Sequence, residues 1–116
     1  MATVTYKTPG LDKKTRKIVY TEKTGDVAIM QIGPRRVKCV LQRESKDQAP
    51  ALVHYASGNI IIGDTRLNSY RLMHFVNART ELPWRRVAEI MLASIINEKG
   101  HERVLSVMDA APVINV

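Results

Sequence analysis

The chain has 116 residues, 45% of them apolar and 25% charged, and a formal charge of +7 from 18 Lys+Arg against 11 Asp+Glu. That is one soluble domain, too short for two, and large enough to bury a core without metal or disulfide support. No apolar run approaches the roughly 18 residues of a membrane span, and Met1–Thr5 lacks the apolar stretch of a signal peptide, so a cytoplasmic protein with no membrane partner is expected.

The basic excess lies early in the chain: residues 1–50 hold 11 Lys+Arg against 5 Asp+Glu, and residues 51–116 hold 7 against 6. In that first half the apolar residues recur with the two-residue period of half-buried strands. Ile18 and Tyr20 make one run, Val27 and Ile29 with Gln31 a second, and Val37, Cys39 and Leu41 a third. Lys23–Asp26 and Gly33–Pro34 between them have turn chemistry, which predicts a three-strand meander. The polar segment Arg43–Pro50 reads as an exposed loop. Beyond it Leu52–Tyr55 and Asn59–Ile62 flank Ala56–Gly58, a hairpin connection that makes strands four and five. The unbroken Ile60-Ile61-Ile62 predicts a strand covered on both faces.

After Gly63 the pattern turns helical. Thr65–Arg79 favours helix over strand, with Asp64 or Thr65 as N-cap. The clearest helix runs from Pro83 to Lys99, with Thr80 as N-cap, Pro83 in the first turn and Gly100 closing it. At 100° per residue, Val87, Ala88, Met91 and Ile95 fall within about 60° of Trp84, with Leu92 near 80°. Ile90 stands on the opposite side with Arg86, Glu89, Ala93 and Asn97, and Ile96 is also off the stripe. A shorter helix from His101 to Ala110 carries Val104, Leu105 and Met108 at core spacing and ends before Pro112. The expected fold is therefore α+β: an N-terminal antiparallel meander of about five strands, followed by two or three helices packed on one face.

No motif specifies a chemistry. The lone Cys39 reads as a buried strand thiol, since nothing beside it supplies a base for a nucleophile. His54, His74 and His101 are too scattered to be metal ligands. Neither G-x-G-x-x-G nor a P-loop occurs, and Ser57 beside His54 on a hairpin is the one close Ser–His pair. No enzyme, cofactor or metal is expected.

Two binding functions remain. The first is contact with nucleic acid through the N-terminal sheet, carried by Lys13, Lys14, Arg16 and Lys17 and by Arg35, Arg36 and Lys38. In a strand Arg36 and Lys38 share one face and Val37 and Cys39 the other. A solvated outer face is the competing explanation of these charges, and stacking aromatics nearby are limited to Tyr6 and Tyr20. The doublet Arg85-Arg86 opens the long helix against its dipole, and pairing of Arg85 with Glu89 would offset that. The second function is that of a protein-binding module, such as an adaptor, inhibitor or assembly subunit. Its surface would be Ile90, Ile96 and the apolar tail Val113, Ile114 and Val116, which together also predict a homodimer.

Overall fold

The computed structural model describes residues 2–116. Five strands, β1 (Thr3–Leu11), β2 (Ile18–Ile32), β3 (Arg35–Gln42), β4 (Ala51–His54) and β5 (Ile60–Ile62), precede three helices, α1 (Asp64–Ala78), α2 (Trp84–Lys99) and α3 (His101–Ala110). The sheet is antiparallel throughout, in the order β1-β2-β3-β4-β5. The α+β architecture is the expected one. Two of its strands are not where the periodicity put them.

Ile18 to Ile32 is one continuous strand, and its partner is Thr3–Leu11. The expected turn at Lys23–Asp26 does not exist. Gly25 sits there because β2 crosses tightly over β3: a Cβ on it would stand 2.5 Å from Val40 Cγ1 and 2.7 Å from the Leu41 carbonyl oxygen. A glycine inside a strand marks such a close approach as readily as it marks a turn. The reversal between β1 and β2 is made instead by Asp12–Lys17.

All three helices lie on one face of the sheet. Met30 and Ile32 of β2, Val37 and Cys39 of β3, Leu52 and Ile62 pack there against Leu67 of α1, Val87, Ala88 and Leu92 of α2, and Met108 of α3. Trp84, Met91 and Ile95 border this core as the helical stripe predicts. Pro83, with extended backbone, is the N-cap of α2; the Thr80 hydroxyl donates to the Ala78 carbonyl. Gly100 closes the helix at φ 87°, its N–H donating to Ile96 O. β5 is not covered on both faces: Ile62 is buried, while Ile60 is 66% exposed. A register shift between Leu52 and Val53 interrupts the regular pairing of β4 with β5.

The helix-free face carries a smaller cluster of Tyr6, Val40, Ala51 and Val53, bordered by Val4 and Tyr55. The sheet curls so strongly that the middle of β1 meets the β4–β5 turn, where a Cβ on Gly58 would collide with Lys7 O. Asn115 locks that contact. Its Oδ1 accepts the Lys7 N–H at 2.7 Å, and its Nδ2 donates to Lys7 O at 2.8 Å and to Tyr55 O at 2.7 Å. Lys7 lies on the edge strand with N–H and C=O both turned outward, as happens at alternate residues of an antiparallel pair. The Asn115 amide thus stands in for the peptide of a further strand and closes that part of the edge.

Candidate nucleic-acid interface

β2 pairs with β3 only from Asp26 onward, so Ile18 to Gly25 have β1 as their single hydrogen-bonded strand partner. This leaves a two-stranded ribbon beyond the sheet. Every residue from Pro9 to Glu22 is exposed except Asp12, which is half-buried. Such a ribbon is marginal by itself. Its base is held by Asn115 on Lys7 and by the buried Tyr6 ring against Tyr55, 6.3 Å between centroids.

The turn at its end is built by local hydrogen bonds. Arg16 N–H donates to Asp12 O at 2.7 Å, and Asp12 N–H to Lys17 O at 2.9 Å. The Asp12 carboxylate accepts the Lys14 N–H at 2.9 Å, the side-chain turn for which Asp is suited. Arg16 takes the left-handed conformation that closes the loop, φ 57°. That Lys14 N–H, and then Thr15, hold the Asp12 carboxyl below its usual value. The tip therefore carries four cations against one carboxylate occupied with its own backbone. Among the described residues none of Lys13, Lys14, Arg16 and Lys17 is in an ion pair.

Just below the tip, Leu11 faces Ile18 and Pro9 faces Tyr20 on one side of the ribbon. Leu11 and Ile18 are 65% and 64% exposed, and Tyr20 also stands in water. The two-residue period predicts Ile18 and Tyr20 facing inward, and Tyr20 is the one aromatic expected beside these cations on this strand; the ribbon instead leaves both residues in water. The available signal was Asp12 and Thr15 among the cations, two turn-forming side chains with Pro9–Leu11 and Ile18–Tyr20 on either side.

The second basic group lies elsewhere. Arg36 pairs with Gln31 and Lys38 with Ile29, at the end of β2 far from the tip. Thirteen residues separate Ile18 from Gln31, about 43 Å of strand at roughly 3.3 Å per residue, shortened by twist and curl. Arg36 and Lys38 do share the helix-free face, where Lys38 Nζ sits 3.9 Å above the Tyr55 ring centroid. Arg35 points to the helix side and grips Asp109 of α3 through two bonds of 2.6 and 3.0 Å. The seven cations thus form two patches and one internal pair. Arg85 donates to the Ile29 carbonyl at 3.3 Å rather than pairing with Glu89.

The five residues expected to make one apolar interface are also divided. Ile96 packs against the helix-side core and Ile90 is half-buried on α2. The tail instead crosses to the β4–β5 turn, where the N–H groups of Ile114 and Asn115 donate to Ala56 O and Tyr55 OH donates to Val116 O. Only Val113 and Val116 of the five are exposed. The larger uncovered apolar surface is on α1, where Leu72, Met73, Phe75 and Val76 face solvent. Together with Leu67 and Tyr70 these residues spread around the helical wheel, so their spacing alone does not single out the side left open.

Of the remaining candidates, Cys39 is fully buried and its thiol is pushed up to about 12 by burial, the reverse of an activated nucleophile. His54 Nδ1 lies 2.8 Å from Ser57 Oγ, and burial holds the imidazole below its ordinary value. No group of three His, Cys, Asp or Glu side chains among the described residues could hold a metal. No described helix is long and apolar enough to cross a membrane. In comparisons with known proteins, no family model matches the chain, and no curated protein and no solved structure matches it.

Proposed function

We propose that the protein binds nucleic acid along the sugar–phosphate backbone through the β1–β2 ribbon. The observation that carries this reading is the tip: four exposed cations without ion pairs among the described residues, held clear of the sheet by an ordered turn. A ribbon of this kind has the width to enter a major groove. Phosphate contact by Lys and Arg is independent of sequence, and each neutralised phosphate releases counterions, which makes the affinity fall with salt. Lys38 and Arg36 extend the positive field along the helix-free face, at a distance that a duplex of about one turn could span.

The test is fluorescence anisotropy with two unrelated 20-base-pair duplexes and one single strand, each in a salt series. Affinities similar for the two duplexes and falling with salt are expected. A variant with Lys13, Lys14 and Lys17 changed to Gln and Arg16→Asn, which tolerates positive φ, should flatten the salt slope by up to about 3.6, at ~0.9 per lost contact. An unchanged slope, or no binding at low salt, overturns the reading.

A second reading, a protein-binding module that pairs with its own copy, is favoured by the uncovered apolar side of α1. Two-fold pairing of one helix face is the simplest closure of such a patch. Sedimentation of the intact chain and of Val76→Glu tests it. A dimer lost in the variant supports it, and a monomer of about 13 kDa at tens of micromolar excludes it.

A further inference from the structure

On the helix side, between the β4–β5 turn and α3, a cleft of about 370 Å³ opens beside β5. Its walls are Ile60, Ile61, Val104, Val107 and Met108. Two of these, Ile60 and Val107, are 66% and 67% exposed, so apolar surface on both sides of the cleft is left in water. Its polar lining is His54, Ser57, Asn59, Lys99 and Arg103, and no carboxylate is among the lining residues.

The polar groups have a proton to spare. A neutral imidazole and a hydroxyl own one N–H and one O–H between them. Their mutual bond at 2.8 Å uses one, and the other contact of Ser57 Oγ is as acceptor from Asn59 N–H at 3.2 Å. Whichever tautomer is present, one donor of the pair is unspent, either the Ser57 hydroxyl or His54 Nε2–H. Lys99 and Arg103 add two cations, four residues apart across the α2–α3 corner, and neither is in an ion pair among the described residues. Arg103 also lies in the first turn of α3, where a helix dipole disfavours positive charge. The Asp109 carboxylate lies near enough to act on His54, but it is paired with Arg35, whose charge acts on the same imidazole in the opposite sense.

We propose that this cleft binds a small amphiphilic anion, its carboxylate or phosphate head held by Lys99, Arg103 and the His54–Ser57 pair and its apolar body laid between β5 and α3. Apolar walls with a few converging donors are the general build of small-molecule sites, and this volume is at the lower end of their range. At ~30 Å³ per water it would hold about a dozen waters, which matches a ligand of roughly a dozen non-hydrogen atoms. The site is separate from the ribbon, and its occupancy does not depend on nucleic-acid binding.

The probes are decanoate, decyl phosphate, decanol and decyltrimethylammonium, titrated into the full chain while backbone amide and methyl NMR spectra are recorded. Saturable shifts at Ile60, Ile61, Val104 and Val107 are expected with both anions, and comparison of the two identifies the preferred head. Decanol and the cation should bind at least about tenfold more weakly. Lys99→Gln with Arg103→Gln, two exposed changes that leave the core intact, should weaken decanoate at least about tenfold and leave decanol unchanged. Val107→Trp, checked for folding by circular dichroism, should block all four. Absence of saturable shifts at millimolar anion, decanol binding as tightly as decanoate, or shifts centred on α1 would each overturn the proposal.

Discussion

Replacing Asn115 by Ala should loosen the base of the ribbon more than its position one residue from the end of the chain implies. Its side chain is nearly buried and makes three hydrogen bonds of 2.7 to 2.8 Å, two to Lys7 and one to Tyr55. An intramolecular hydrogen bond contributes about 1 kcal/mol net, and stranding a buried partner costs somewhat more. Because these groups are only partly buried, water takes over some of the lost bonds, so about 2–3 kcal/mol is expected. For a domain of this size that corresponds to a fall of roughly 8–12 °C in melting temperature. Asn115→Asp keeps the acceptor for Lys7 N–H but sets a carboxylate oxygen against two carbonyls, and should lose at least as much. The assays are thermal and urea denaturation, with amide hydrogen exchange at Lys7 as the local reporter. A loss below about 0.5 kcal/mol, the range of ordinary surface substitutions, with Lys7 exchange unchanged, would refute the claim that the tail ties β1 to the β4–β5 turn.

Gly25→Ala should destabilise by about 1–3 kcal/mol through overpacking against Val40 and Leu41; Gly10→Ala on the exposed ribbon, where the added Cβ would meet only Val19 O at 3.9 Å, is the control and should stay within about 0.5 kcal/mol. An equal urea midpoint for the two would count against the close crossing of β2 over β3. Cys39 should resist a thiol reagent at pH 8 in the folded state and react at once in denaturant. Its thiol is raised by burial from 9.0 to about 12, so the contribution to stability is complete below pH 9 and is lost as the pH climbs from there through 12. Cys39→Ala should remove that alkaline loss, and a rapidly labelled native protein would contradict the burial.

The sequence made α2 and α3 legible because their periodic signals are local and agree with one another, whereas the apolar residues of α1 suit strand as well as helix and the caps fall on Gly63 and Pro83 rather than on Asp64, Thr65 or Thr80. Gly100 ends α2 and the Trp84 stripe faces the sheet, and both follow from a 3.6-residue period and one residue able to take positive φ. The N-terminal strands were harder because the same residues support two readings. Thr3–Thr8 offers only Val4 and Tyr6 at the two-residue period, and Pro9-Gly10 looks like an interruption, yet an edge strand tolerates proline where no ladder N–H is required. Gly25 between Thr24 and Asp26 looks like a turn until the approach of Val40 is known, and that approach is a tertiary fact. One misread glycine has a large functional consequence. If the chain reversed at Gly25, Lys13–Lys17 would be a leader before a compact meander and could gather beside Arg36 and Lys38 into a single basic face. With β2 continuous through Gly25, the first cluster becomes the tip of a ribbon and the second lies at the far end of the same strand. A partner must then either meet the tip alone or be long enough to reach both, and the salt slope of the tip variant separates these cases: loss of nearly all the slope means the tip acts alone, and a large remainder assigns the rest to the helix-free face.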